Sequence, residues 1–486
     1  MTEQNRPEVL FLIHDVALAG EPHGIMQLAA YGKRKGWVSR VTTLKLDYLA
    51  EIEERPPQLI AASFMSADYP GFKKAFSAIK AAFPAIPMIG GGPHPTFDPD
   101  CVEQLALDAV CVGEGDQVFE LLLERVEQGQ GFAGLPNIRT KGNPHILEPL
   151  AHLDELPFIE RDFFYEKFPI FARFKLKSFF TSRGCPYRCT YCFNASYNDM
   201  YKGMGKILRK RPVSDVINEV LALKAKYPLE YIRFADDVFQ VKADAWLEEF
   251  AERFPKEVGI PFYCLMHANN VDEAVVSLLY KAGCRSACMS IESGDPELRK
   301  LMLKRNTSQQ KIIDAFDLFN SYGINMYTNS MLGIPGAGFE QELASLDLSI
   351  RCKPKYGSFT IITPYPGTQF HDICVEQGVL PSDASDEMLQ STRETSVLTC
   401  FNEQEKQMQI KLLKLGPVTV RFPVIKPLTL FLVQKVPDNR LFSLVYWFFR
   451  NYLFSKYIVP VQFGTKEKVE LIWRTLVEDF LQLKKS

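Results

Sequence analysis

The chain of 486 residues carries a formal charge of −2, with 47% hydrophobic and 23% charged residues. That balance excludes a disordered chain, and so small a net charge excludes a general attraction to nucleic acid or anionic membranes, so partners must be sought in local sites. The length accommodates about two to four domains. Eleven cysteines, scattered except for one cluster, argue against a disulfide framework and for a reducing, cytoplasmic setting. The start, MTEQNRPEVLFLIHD, has neither the basic residues nor the long apolar core of a secretion signal. Charged residues interrupt every later apolar stretch before it reaches the ~20 residues of a spanning helix.

From Val9 to about Val112, short apolar runs alternate with amphipathic stretches. Runs beginning at Val9 (VLFLI), Ser39 (SRVTTL), Leu59 (LIAASF), Pro87 (PMIGG) and Ala109 (AVCVG) are predicted strands. Tyr69–Phe83 has the helical period of a connection between them. Such alternation implies a parallel sheet covered on both faces, with ligands held beyond the carboxyl ends of its strands. At those ends stand Ser63 and Ser66, then Gly90, Gly91 and Gly92, then Glu114 and Gly115 in the turn Gly113-Glu114-Gly115-Asp116. Glycines there let backbone approach a bulky ligand, although such turns are ordinary in any α/β fold. His14 and His23, near the first loop, read as ordinary loop histidines.

The segment SRGCPYRCTYCFN, from Ser182, places Cys185, Cys189 and Cys192 in a C-x3-C-x2-C spacing after the strand-like KSFF. Thiolates are the soft ligands of iron–sulfur clusters and of zinc. Structural zinc takes four ligands in paired arrangements, and no second pair stands nearby. Three thiolates would instead ligate three irons of a 4Fe–4S cluster and leave the fourth open. The remaining eight cysteines build no second cluster, and Cys264, Cys284 and Cys288 read as small buried hydrophobes.

Further predicted strands begin at Tyr231 (YIRFA), Phe262 (FYCLM), Ser286 (SACMSIE), Ile324 (INMYTNSML) and Gly357 (GSFTII). With KSFF they make six β/α units, whose sites form at the strands' carboxyl ends. Ala235, Asp236 and Asp237 follow the second strand, Ser290, Glu292 and Ser293 the fourth, and Gly333, Ile334, Pro335 and Gly336 the fifth. Lys304 or Arg305 is available to a carboxylate, the guanidinium offering the stronger bidentate geometry. Singly, aspartates cap helices and lone charged residues are solvated; the ordered recurrence of these residues carries the weight.

Beyond about Leu380, PSDASDE reads as a polar connector and FNEQEKQMQIKLLKLG as a helix ended by Gly416. Residues 420–462 are rich in Phe, Leu, Val and Tyr, punctuated by Lys426, Lys435, Asp438, Arg440, Arg450 and Lys456. Helices packed over the barrel mouth are expected here, as a substrate cap. The alternatives are a greasy substrate pocket or an interfacial membrane contact.

The cysteine segment, with Tyr191 before its last cysteine, followed in order by RFADDVF, SIESG, GIPG and TPYPGTQF, resembles the radical S-adenosylmethionine (SAM) enzymes. GGGPHPTFDPD, DAVCVGEGDQVFELL and LDELPFIERD, over roughly residues 7–160, look like the cobalamin-binding amino-terminal domain of a large class among them. The resemblance implies an α/β chain in three parts. Residues 1–150 would form a Rossmann-like cobalamin-binding domain, 151–375 a partial (β/α)6 radical SAM barrel, and 376–486 a mainly helical region. The implied cofactors are a 4Fe–4S cluster on Cys185, Cys189 and Cys192, SAM, and cobalamin. Ala235, Asp236 and Asp237 would meet the methionine amino group of SAM, Glu292 with Ser290 its ribose or methionine end, Arg305 its carboxylate, and Gly333 and Ile334 its adenine side. Ser63, Ser66, Gly90, Gly91, Gly92, Glu114 and Gly115 would contact cobalamin. Two departures stand out: the aspartate-x-histidine-x-x-glycine motif is absent, implying a histidine-free binding mode, and GIPGAGFEQE replaces the usual glycine-glutamate-threonine pattern.

In such enzymes the open iron chelates SAM, and an electron, here from a donor such as flavodoxin or ferredoxin, releases a 5′-deoxyadenosyl radical. The expected reaction is methylation of an unactivated carbon in a small molecule, an isoprenoid, lipid or tetrapyrrole suiting the apolar tail. An oxidative cyclisation without methyl transfer is the nearest alternative. A cobalamin-binding sensor with a structural or redox cluster is a more distant one.

Overall fold

The computed structural model describes residues 6–15, 20–381 and 395–462, with a few isolated positions beyond. The expected connector PSDASDE falls, after Pro381, outside the described residues. Two compact units form: Met1–Pro228 with Lys300–Asn306 and Ile362–Cys400, and Leu229–Arg299 with Thr307–Ile361 and Phe401–Ser486.

In the first unit, strands β1 (Glu8–Ile13), β2 (Val38–Thr43), β3 (Leu59–Ser63), β4 (Met88–Gly91), β5 (Ala109–Cys111) and β6 (Ile138–Arg139) lie in the order β2-β1-β3-β4-β5-β6. The five predicted strands form, and pair in parallel. β1 is buried along its whole length, as its unbroken apolar run requires. The Tyr69–Ala82 helix buries Tyr69, Phe72, Phe76 and Ile79 at 3.6-residue spacing, and Phe64 stacks on Phe72 with ring centroids 5.0 Å apart. A sixth strand that the sequence did not show joins them: β6 runs antiparallel to β5. It is two residues long, is reached through the Asp116–Glu127 helix, and follows a left-handed Asn137 (φ 56°).

Further along this unit come β7 (Leu176–Phe179) and an antiparallel hairpin of β8 (Ser182–Arg183) and β9 (Arg209–Lys210), which brackets the cysteine segment and the Phe193–Met200 helix.

The second unit holds five parallel strands, β10 (Tyr231–Phe234), β11 (Phe262–Leu265), β12 (Cys284–Cys288), β13 (Asn325–Leu332) and β14 (Tyr356–Ile361), neighbours in that order. All six strands expected of the second region, β7 included, thus form. Beside β14 runs the Glu403–Arg421 helix, begun by an Asn402–Glu405 capping box. It lies antiparallel to β14: Gln409 reaches the Gly333 end through Glu342, while Val420 meets Gly357 at the strand's start.

Two expectations for the tail change. Gly416 does not end this helix, which continues through Pro417 to Arg421. A side chain at Gly416 would collide with the ring of Phe359, so the glycine serves close helix–strand packing in a core of Leu332, Leu346, Phe359, Leu412 and Val420. Nor, among the described residues, does the last part of the tail pack on the strands' carboxyl ends. After the Lys426–Lys435 and Arg440–Leu453 helices, Phe454–Ile458 packs toward the amino-terminal halves of the strands. There Ser286 Oγ donates to the Ile458 carbonyl and Asn325 Nδ2 to that of Tyr457.

Gly416→Ala is expected to lower stability by about 1–3 kcal/mol through overpacking, seen as a lower thermal midpoint. Phe359→Leu in the same chain should recover part of the loss, and no recovery would show that the clash lies elsewhere.

Candidate functional site

The cysteine loop is tied down from several sides within the first unit. Gly184 has φ 91° and a side chain there would strike the Ile207 carbonyl, so only glycine can precede Cys185. Cys192 N–H donates to the Cys189 carbonyl at 3.1 Å, and Asn198 Nδ2 to that of Cys185 at 2.9 Å. Thr190, wholly buried, donates through N–H to the Leu303 carbonyl at 3.1 Å and through Oγ1 to that of Met302 at 2.6 Å. Its own carbonyl accepts from Phe370 N–H at 2.9 Å. Arg305 donates to the Tyr191 hydroxyl at 3.3 Å, which sets a buried guanidinium beside the thiol loop. Cys189 is buried while Cys185 and Cys192 are half-buried. Among the described residues no group of three or more His, Cys, Asp or Glu converges tightly enough to hold a single metal ion. Thiolates on separate irons of a cluster stand farther apart, and three soft donors on one short loop suit a cluster's chemistry.

The same loop is locked to the end of β5 by buried charge. Arg183, just before Gly184, grips Asp116 with both guanidinium nitrogens at 2.6 and 3.0 Å. Arg209, its neighbour across the hairpin, grips Glu114 at 2.6 and 2.9 Å, and Arg183 lies 3.3 Å from Glu114. The Tyr201 hydroxyl accepts from Glu114 N–H at 3.3 Å, occupying space that any side chain at Gly113 would need. Burial alone would raise the Asp116 carboxyl, but Arg183 and Arg209 hold it below the usual range.

A second lock joins the loop after β1 to β7. Glu21 accepts from Ser178 N–H and Oγ at 2.8 Å, from Arg161 at 2.6 Å and from the Tyr165 hydroxyl. Its burial opposes ionisation, yet Arg161 brings the carboxyl down to about 2. A third is aromatic: Phe97 stacks on Phe193 at 4.5 Å.

The other strand-end residues of the first sheet divide. Ser63 and Gly91 are half-buried, and no atom lies closer than 3.7 Å to where a Gly91 side chain would begin, so a ligand can approach that backbone. Gly90 is buried against Leu107 and Phe64, which gives it a packing role, while Gly92 is half-buried in a left-handed conformation (φ 95°) close to Ser63 and Phe64. Ser66 shares a hydrogen bond with His94 Nδ1 at 3.1 Å. Gly115 precedes the Asp116–Glu127 helix, and the Glu114 carboxylate is committed to arginines. His23 shares a hydrogen bond with Ser178 at 2.8 Å and His14 sits 3.5 Å from Asp68, so protein groups engage both loop histidines.

In the second unit the expected residues do collect at strand carboxyl ends. Ala235 and the fully buried Asp236 follow β10, with Asp237 exposed. Ser290 and Glu292 follow β12. Glu292 is buried in a left-handed conformation (φ 65°), which costs a non-glycine residue about 1–3 kcal/mol and recurs at functional sites. It is held there by Asn329 and Met331 of β13, at 3.2 and 2.6 Å through the backbone. Arg299, missed in the sequence, is almost wholly buried and donates to the carbonyls of Ser293 and Thr307, clamping the turn. Gly333 and Ile334 are buried after β13, and Gly333 N–H donates to Glu342 at 2.8 Å. Burial raises the Glu342 carboxyl to about 7. Arg305 belongs instead to the first unit, beside Tyr191.

A model of the radical SAM superfamily matches residues 179–348, and one of the B12 binding domain matches residues 9–123. An uncharacterized methyltransferase of Pyrococcus horikoshii is 26% identical over 383 residues, 75% of this chain and 81% of that protein. The anaerobic magnesium-protoporphyrin IX monomethyl ester cyclase of Rubrivivax gelatinosus is 22% identical over 380 residues, 74% of this chain and 66% of that protein. The solved cobalamin-dependent radical enzyme OxsB, with aqua-cobalamin and S-adenosylmethionine bound, shares the fold at a TM-score of 0.65 and 14% identity, over 98% of this chain and 84% of that one. The superfamily match spans the thiol loop and the strand-end turns that follow it, and makes the chain a radical SAM enzyme. The amino-terminal sheet narrows the class: the chain belongs to the B12-binding radical SAM enzymes, and its cofactors are a 4Fe–4S cluster, SAM and cobalamin.

Arg183→Leu leaves Asp116 buried without its main counter-charge. It should cost about 3–5 kcal/mol and lower iron and sulfide retained per chain, both measurable by denaturant titration and metal analysis. Unchanged stability with full iron would mean that the hairpin needs no ionic lock. Glu342 is neutral by preference in the fold, so its contribution is fully present below its ordinary value of 4.5 and is lost as pH rises through about 7. Wild type should therefore weaken by about 3 kcal/mol relative to Glu342→Gln over that window. Urea midpoints at about pH 5 and about pH 8 test this, and parallel midpoints would reject it.

Proposed function

We propose that this enzyme methylates an unactivated carbon of a small apolar molecule, using both cofactors in one reaction. The observation that carries the reading is the ionic lock of Arg183 and Arg209 on Asp116 and Glu114, because it fixes the cysteine hairpin to a strand-end turn of the cobalamin-binding sheet. A chain that used its cofactors in unrelated steps would have little need of such a tie. Relatives named as methyltransferases add support.

When bound, the cluster with SAM supplies the hydrogen-abstracting radical, and cobalamin supplies a methyl carrier. The chain's own residues bind and orient. Cys185, Cys189 and Cys192 hold the cluster. Arg305, steadied by Tyr191, suits the SAM carboxylate, and Asp236 the amino group. Glu292, with Ser290 beside it, suits the ribose or methionine end, and the Gly333–Ile334 turn suits the adenine. Ser63, Ser66, Gly91, Gly92 and Gly115 are the cobalamin-side residues. No protein nucleophile is required. An electron donor such as flavodoxin or ferredoxin completes the system. The tetrapyrrole and hopanoid chemistry in the names of some relatives favours a lipid or tetrapyrrole over a sugar or peptide. Similarity to the anaerobic cyclase supports a second reading, oxidative cyclisation without methyl transfer.

Anaerobic reconstitution with iron, sulfide and cobalamin, followed by methyl-labelled SAM and a reductant, separates these readings. Expected are 5′-deoxyadenosine that disappears in the Cys185→Ala, Cys189→Ala, Cys192→Ala triple variant, and label passing to a carbon acceptor. 5′-Deoxyadenosine with an oxidised, unlabelled product would favour the cyclase reading. A fully loaded cluster that yields none would leave a sensing role.

A further inference from the structure

Residues 421–462 contain six basic side chains, Arg421, Lys426, Lys435, Arg440, Arg450 and Lys456, and a single acidic one, Asp438, in a chain whose overall charge is −2. Asp438 is already met by Lys414 at 2.5 Å. The same stretch turns large apolar groups outward. On the Arg440–Leu453 helix, Leu441, Leu444, Phe448 and Tyr452 recur at helical spacing and are 63, 47, 52 and 41% exposed. Val424 is 86% exposed and Phe422 42%.

These groups form one ridge. Phe422 packs edge-on against Phe449 at 6.0 Å, Phe449 meets Phe448 at 5.4 Å, and Phe448 stacks on Tyr452 at 5.9 Å. Basic groups rim it. Lys456 Nζ donates to the Tyr452 hydroxyl at 2.7 Å and lies 5.1 Å from its ring centre. Arg421 lies over Phe422 and Tyr457 at 5.4 and 5.5 Å, and Arg450 over Tyr446 at 6.0 Å. The helix's inward face is ordinary: Phe442 is buried in a cluster with Leu415 and Val433. Its outward face is the anomaly, since a surface helix normally turns polar residues to water. The chain continues from this helix into Phe454–Ile458 at the amino-terminal halves of the barrel strands, so the ridge leads away from Glu292 and Gly333.

We propose that this ridge docks on an anionic lipid surface, with Phe422, Val424, Leu441, Leu444, Phe448 and Tyr452 entering the interface and Arg421, Arg450 and Lys456 meeting the headgroup phosphates. An apolar stripe edged by tyrosine and basic groups matches the layered polarity of a bilayer interface. Charge argues against a second copy of the chain, because two such segments would repel one another. Among the described residues no helix is long and apolar enough to cross a membrane, so contact would be peripheral.

Flotation of the reconstituted enzyme tests this, with vesicles of phosphatidylcholine alone or with about 30% phosphatidylglycerol. The enzyme should float with the anionic vesicles and be released by high salt. Arg450→Gln and Lys456→Gln should each lower partition about fivefold, and Phe448→Asp should abolish it. Because these side chains face solvent, 5′-deoxyadenosine formation without vesicles should stay at the wild-type rate, which checks folding. Three results overturn the proposal: wild type failing to float, Phe448→Asp floating equally well, or a lipid-independent dimer that Phe448→Asp dissociates.

Discussion

Glu114 and Asp116 meet Arg183 and Arg209 where little water reaches them, and this group of charges orders the first unit. Bringing them out of water costs about several kcal/mol per ion. Apolar side chains of similar volume would avoid that cost, but they would hold the hairpin in no particular direction. A guanidinium fork on a carboxylate fixes both distance and plane. Two such forks, one from each strand of the β8–β9 hairpin, leave it little freedom to slide or tilt against the end of β5. The cysteines sit between those two strands in sequence, so their place follows from the lock. Glu21 with Arg161 and Ser178 repeats the device at β7, where the chain enters the loop.

The second unit uses backbone constraint. Glu292 stays left-handed because β13 holds both its N–H and its carbonyl, and Arg299 fastens the turn behind it. Gly333 is fastened through Glu342, which Gln409 of the Glu403–Arg421 helix approaches at 3.4 Å. Turns at neighbouring strand ends are thus braced by the elements packed against them. Rigid support of this kind lets residues on loops act with the accuracy of residues on strands.

Much of this was legible in the sequence. Apolar runs placed most strands within a residue or two, because a sheet buried on both faces demands continuous hydrophobicity; SACMSIE overran, since β12 ends at Cys288. Cys185, Cys189 and Cys192 were legible because ligand spacing is local. The locks were not. Arg183 and Asp116 lie 67 positions apart, and a lone arginine in a sequence reads as solvated until its partner is seen. Glu342 hid in a helix whose other acidic residues face water, and Arg299 in a short charged run. Gly416 misled in the other direction, since a glycine that ends a helix and one that admits a phenylalanine ring look alike. The antiparallel β6 was too short to leave a pattern.

The Glu403–Arg421 helix lies beyond residue 348, where the superfamily match ends, as does β14. Yet Leu332 and Leu346, inside the matched region, find their apolar neighbours in that later strand and helix. A piece excised at the family boundary would bare them to water, so the catalytic module is larger than its shared signature. The same holds past Arg421, where Val433 and Phe442 close on Leu415, so the tail is part of what the fold must carry.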